Sequence, residues 1–183
     1  MTAKSPPRLP LIDAPDDPLA REEFDKLASG RGILNLHRMM AHAPPLMKAS
    51  GGMATAFRQA AELGSDVAEI VVLRTAQIAD CAYVFRRHVS LARAAGVTEQ
   101  QVGEIQRWRE SAAFSPAQKA VLGFAEKAAQ GTPVDDATFA LLQRNFSPRE
   151  IVELTMLVGH YVATAIFIKT LAVPDETLET GAE

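Results

Sequence analysis

Two serine-proline pairs, Ser115-Pro116 and Ser147-Pro148, each head a long stretch of apolar residues, and the stretches stop at Gly131 and before Pro174. A serine hydroxyl accepts a backbone N–H of the first helical turn, and proline at the first helical position gives up no hydrogen bond. Similar punctuation recurs from Ala20 onward, and no sustained alternation of β-branched residues marks a strand. The chain is therefore expected to be all-α. The pattern predicts helices over about 19–28, 33–41, 46–63, 65–79, 81–95, 98–109, 115–131, 135–145 and 148–171, with Ser65 and Asp80 as N-caps and Glu69 in an acidic first turn.

Residues 1–19 carry five prolines and few periodic apolar positions, the pattern of an extended arm. Residues 20–175 are expected to form a single all-α domain, and 176–183 a frayed tail. At 183 residues the chain is long enough to bury a core without disulfides or a structural metal.

Lysine and arginine number 19 against 22 acidic residues, a net charge of -3 that provides no basic field for a phosphate backbone. Nucleic acid is not an expected partner. The N-terminus lacks the apolar segment of a signal peptide, and no apolar run reads as a membrane span, so a cytoplasmic location with no membrane partner is expected. A single cysteine, Cys81, excludes an intrachain disulfide and thiolate-rich zinc sites. Glu69, His88 and His160 lack HxxxH or HExxH spacing, so no metal and no cofactor are expected.

Sliding the chain by 81 residues lays AEIVVL, 68–73, on REIVEL, 149–154, with Glu69 on Glu150. The echo places Cys81 on Val162, Tyr83 on Thr164 and His88 on Lys169. Reactive side chains therefore fall in the first copy and inert ones in the second, which points to chemistry in the first and packing in the second.

Cys81 and His88 are seven residues apart, so on one helix they share a face at a rise of about 10 Å. That is too far for contact without a bridging water or substrate. A first-turn cysteine sits at the positive end of the helix dipole, and Arg86, Arg87 and His88 add positive charge, opposed by Asp80. The plainer readings are a small apolar core thiol for Cys81, a dipole-complementing acid for Glu69, a satisfied interior histidine for His88 and a solvated face for Arg86 and Arg87. Tyr83 reads as half-buried packing, while His42 and His160 are pocket candidates from neighbouring helices. Met39, Met40, Met47, Met53 and Phe57 read as adaptable core or subunit interface.

Glu69, then Cys81 twelve residues on, then Tyr83 and His88, inside LRTAQIADCAYVFRRHVSLARAAGV, resembles the carboxymuconolactone decarboxylase and alkylhydroperoxidase D (AhpD-like) superfamily. NLHRMMAHAPPLM and SPREIVELTMLVGHYVATAIFIKTL resemble its flanking helices, so the likeness runs over about 33–173. It implies an all-α fold around a two-helix core, commonly a homo-oligomer (dimer, trimer or hexamer), with a site lined by the acid, cysteine and histidine. The peroxidase branch has a second cysteine where this chain has Val84 and a histidine where it has Tyr83. Turnover through an internal CxxC disulfide is therefore not open to one chain.

The resemblance leaves three functional expectations. The first is a cofactor-free lyase removing carbon dioxide from a small carboxylated lactone. In it His88 transfers the proton, Glu69 orients His88, Tyr83 or Cys81 donates to developing oxyanion charge, and Arg86 or Arg87 receives the carboxylate. His42 and His160 would line the same pocket. The second is a one-cysteine peroxidase in which Cys81 is oxidised and then recovered by an external thiol. The third is a non-catalytic oligomeric member.

Overall fold

A computed structural model describes residues 6–176. The helices are α1 (Pro18–Ala28), α2 (Asn35–Met40), α3 (Pro44–Gln59), α4 (Ser65–Ile78), α5 (Ala82–Ala94), α6 (Glu99–Glu104), α7 (Pro116–Ala129), α8 (Asp136–Asn145) and α9 (Pro148–Leu171), with a 3₁₀ turn at Ile105–Arg107. No strand occurs among the described residues. The all-α expectation holds, and so do most helix ends, because the signals used are local. Ser115 accepts from Gln118 N–H at 3.2 Å, Asp135 from Thr138 N–H at 2.8 Å, and Ser147 from Glu150 N–H at 3.2 Å.

Three local expectations are corrected. Gly64, not Ser65, occupies the N-cap of α4, so Glu69 lies one turn deeper than a first-turn acid. Cys81, not Asp80, is the N-cap residue of α5, and its side chain caps nothing. Asp80 instead takes φ 49°, a left-handed conformation that aspartate tolerates and that reverses the chain between α4 and α5. The expected helix over 98–109 ends at Glu104 and tightens into the 3₁₀ turn, from which Trp108 reaches the core.

Contacts group the described chain into two compact units, one made of residues up to Ala56 together with those from Ile168, the other of Phe57–Phe167. In the first, Ala20, Phe24, Ala41 and Met47 form the core, with Ile12, Leu27, Ile33 and Met40 packed against it. The proline-rich arm is tied to this unit. Arg8 N–H donates to Leu171 O at 2.9 Å, Ile12 N–H to Arg38 O at 3.3 Å, and Arg38 pairs with Asp13 at 2.8 Å. The arm ends at Asp17, which caps α1 by accepting from Leu19 and Ala20 N–H, rather than at residue 19. Of the expected tail, 177–183 lie outside the described residues, but Glu176 accepts from Asn35 N–H at 2.6 Å and is part of this unit.

In the second unit α4 is central. It packs along α5 on one side and α7 on the other, and Ile70, Leu73, Ala92, Val97, Ile105, Trp108, Phe114 and Leu122 close a core around it. This is the two-helix core that the resemblance implies. The internal echo extends only to the start of each copy. AEIVVL lies in α4 and REIVEL in α9, but α9 runs on through Val162 for 24 residues, whereas α4 stops after 14 and the chain turns at Cys81. Cys81 therefore stands at a helix start, while its counterpart is mid-helix.

Helix α9 also corrects the reading of apolar runs, since Pro148–Leu171 is long and apolar enough, by length and composition, to cross a membrane. Within the second unit its Ile151, Leu154, Leu157, Val158 and Ala165 are buried, while Val152, Met156 and Ile166 are exposed. The sequence pattern does not reveal this because only tertiary packing decides how long the helix runs unbroken.

Just past the end of α5, Gly96 takes φ 94°, which lets Val97 N–H reach back to Ala92 O at 2.9 Å. A methyl group there would meet nothing within 4 Å, so its cost is that of the backbone alone. Gly96→Ala is expected to lower stability by roughly 1–2 kcal/mol in urea unfolding.

Candidate active site

Two groups of polar side chains form within the second unit, and they are distinct. The first spans α4, α5 and α9. His88 Nδ1 donates to Glu69 Oε2 at 2.8 Å, with the side chains 13% and 19% exposed. The two residues lie on α4 and α5, and the contact between acid and histidine that the resemblance implies is formed. Tyr161 stands edge-on to His88, centroids 4.9 Å apart, and to His160 at 5.2 Å, while Phe57 lies 5.8 Å from His160.

His160 thus lies with the Glu69–His88 group and not in the lining of the Cys81 cavity. Tyr161 and, from α3, Phe57 complete the group, and neither was a site candidate, Phe57 having been read as core or subunit interface; the echo, which marks α9 as the inert copy, hides Tyr161. Burial, then the charges of His88 and Arg58, holds His160 below its ordinary value of 6.5. The folded state therefore resists protonating a ring that the unfolded chain protonates freely. Stability present above 6.5 is lost as pH falls from there toward the lowered folded value. A His160→Gln variant is expected to show a flatter Tm against pH through that acid window.

The second group surrounds Cys81. The thiol is buried, 3% exposed, and its backbone N–H donates to Ala76 O at 2.9 Å across the turn that Asp80 makes. It lines a cavity of about 590 Å³ together with Arg74, Gln77, Asp80, Phe85, Arg86 and Gln106 among others. That volume lies in the range that holds a small organic molecule. Of the residues expected at the site, Cys81 and Arg86 line this cavity, while Glu69, Tyr83, Arg87 and His88 do not. Tyr83 is buried at the start of α5. His42 belongs to the first unit, where its Nε2 lies 2.8 Å from Pro10 O.

Arg74 was missed. It sits between apolar residues of α4 as an apparent interruption of a buried helix, and a charge at such a position is the signal that could have found it. Its guanidinium pairs with Glu126 of α7 and donates to Gln77 Oε1 at 3.0 Å. Glu126 also accepts from Trp108 Nε1 at 3.0 Å and from Arg109, which stacks over the Trp108 ring at 4.4 Å. Burial pushes the Glu126 carboxyl up, but the hydrogen bonds from Trp108, Arg109 and Arg74 prevail and hold it below the ordinary 4.5. Among the described residues, no group of three or more His, Cys, Asp or Glu is placed to hold a metal ion.

An all-α chain with a cysteine at a helix start, a cavity beside it and a Glu–His pair on the same two helices defines the class. Residues 44–127 match the carboxymuconolactone decarboxylase family, a segment that holds Glu69, Arg74, Cys81, His88 and Glu126. Over that segment the chain resembles the carboxymuconolactone decarboxylase family, and its fold is that of AhpD-like proteins. The uncharacterized protein YdfG of Bacillus subtilis is 27% identical over 93 residues, 50% of this chain and 63% of that protein, so the match spans a little under two thirds of its length. An uncharacterized peroxidase-related protein of Ralstonia eutropha, described as an alkylhydroperoxidase AhpD core, has a similar structure, with TM-score 0.79, 19% identity and coverage of 95% of this chain and 94% of that one. The debrominase Bmp8 is similar at TM-score 0.77 and 16% identity, covering 91% and 90%. A cysteine-to-alanine form of Bmp8 has been solved with 2,3,4-tribromopyrrole. At such identities the structural likeness is one of fold.

Proposed function

We propose that the protein is a cysteine-dependent oxidoreductase of the one-cysteine peroxidase type, acting in a reducing cytoplasm with Cys81 as the reacting group. The observation that carries this reading is the position of Cys81. It is the chain's single thiol, at the start of the 13-residue helix α5, in the wall of a cavity that two arginines also line. A peroxidase-related protein and a debrominase of the same fold lend it support.

The thiolate sulfur attacks the distal oxygen of a hydroperoxide. The S–O bond forms as the O–O bond breaks, and the alcohol leaves with a proton, giving a Cys81 sulfenic acid. One external thiol condenses with it and releases water. A second attacks the mixed disulfide and restores Cys81, so two thiols are oxidised to a disulfide for each hydroperoxide reduced. Val84, standing where a CxxC pair would have its second cysteine, leaves the external thiol as the reductant. The test is mass spectrometry after stoichiometric hydroperoxide with a dimedone-type trap. A single adduct on Cys81 within one turnover supports the reading, and an unmodified thiol in the folded protein ends it.

The Glu69–His88 contact favours a second reading, acid–base decarboxylation of a small carboxylated lactone at His88, with Glu69 fixing the ring. It needs no sulfur chemistry. A homo-oligomer is part of either reading, supported by the exposed Val152, Met156 and Ile166 on α9. Sedimentation velocity of the whole chain tests it.

A further inference from the structure

We propose that Gln77 is a catalytic residue of the Cys81 reaction, its side-chain NH2 group donating a hydrogen bond to the oxygen that leaves when the sulfur takes the other. The inference rests on the reading of Cys81 as the reacting group and adds a further residue to that site.

Gln77 and Ile78 stand three and four residues after Arg74, so the three side chains project from one face of α4. All three line the cavity together with Cys81, which follows in the turn. Gln77 is partly buried, and its Oε1 accepts from Arg74 Nη1 at 3.0 Å. A guanidinium can only donate, so this contact decides which end of the amide is which. The oxygen faces Arg74, and the NH2 group is the end left for the cavity. A glutamine in open solvent turns either end to a ligand, whereas this one offers donors.

Arg74 is itself held from behind. It pairs with Glu126 of α7, and Glu126 also accepts from Trp108 Nε1 at 3.0 Å and from Arg109. Trp108 is part of the core around α4. Orientation therefore passes from Trp108 through Glu126 and Arg74 to Gln77, and Arg74 and Glu126 are positioning residues. A donor fixed in this way meets developing charge without reorganising at the moment of reaction. That charge develops on oxygen. As the Cys81 thiolate forms its S–O bond with the distal oxygen, the electron pair of the O–O bond passes to the proximal one, which leaves as an alkoxide and takes its proton from water. Gln77 gives the alkoxide a hydrogen bond and no proton.

The experiment measures two single-turnover rates of Cys81 at a pH above its titration, where the thiolate is fully formed. One is oxidation by tert-butyl hydroperoxide, read as the sulfenic acid with a dimedone-type trap. The other is alkylation by iodoacetamide, in which iodide leaves and no oxygen needs a donor. Gln77→Met removes both ends of the amide. Gln77→Glu keeps an oxygen for Arg74 and turns the donor end into an acceptor within a side chain of the same shape. Both variants should lose roughly tenfold to a hundredfold in the hydroperoxide rate and keep the parent's iodoacetamide rate.

A hydroperoxide rate unchanged in either variant would overturn the proposal and leave the Cys81 reading standing; an unchanged rate in Gln77→Glu is what a mere tether for Arg74 predicts. Equal losses toward both reagents would report a displaced thiol and overturn it as well. A parent thiol that hydroperoxide leaves unmodified would end the Cys81 reading, and this role of Gln77 with it.

Discussion

In the Cys81→Ser variant, hydroperoxide turnover supported by an external thiol is expected to fall by on the order of a thousandfold or more, as when a covalent nucleophile is removed. Serine is nearly isosteric and the site is 3% exposed, so the cost in stability should stay near 1 kcal/mol, the price of a hydroxyl in a thiol's place. Circular dichroism and Tm close to the parent would separate lost chemistry from lost fold. The same variant divides the two functional readings. Decarboxylation at His88 would survive it within a few-fold and would fall by roughly a hundredfold in His88→Ala. Turnover of hydroperoxide unchanged in Cys81→Ser would remove the peroxidase reading altogether.

The largest expected effect on stability lies not at the candidate site but behind it. Glu126→Ala should destabilise the fold by about 3–5 kcal/mol in denaturant unfolding, because it strips the acceptor from Arg74 and Trp108 Nε1, both largely buried. Glu126→Gln keeps one acceptor and should cost less. The acid limb carries the same signature. Since the folded carboxyl lies below 4.5, the stability that Glu126 supplies is complete above that value and is lost as pH falls through the lowered folded one. The Gln variant should lose that part of the acid dependence. If its Tm declines with falling pH as steeply as the parent's, the Glu126 carboxylate is not what the acid limb reports.

Helix α9 shows how far a local pattern reaches. Its start at Ser147-Pro148 and its end before Pro174 are written in caps and breakers within a few residues of each boundary. That Val152, Met156 and Ile166 are exposed while Leu154 and Leu157 are buried is a matter of which neighbours exist on each side. Cys81 teaches the same lesson at smaller scale. The sequence places a thiol near a helix start, but the choice of Cys81 over Asp80 as N-cap depended on Asp80 taking a left-handed φ to join two packed helices.

By itself the sequence determined the all-α class and most helix boundaries, because caps and breakers act over short stretches of chain, and the Glu69–His88 pairing came only with the resemblance. Only the tertiary structure decided that Cys81 shares a cavity with Arg74 while His88 faces Tyr161, and that His42 binds the arm through Pro10. Arg74 and Glu126 are 52 residues apart, and no spacing rule links them. What joins them is the packing of α7 on α4, which buries two opposite charges where water can no longer satisfy either one.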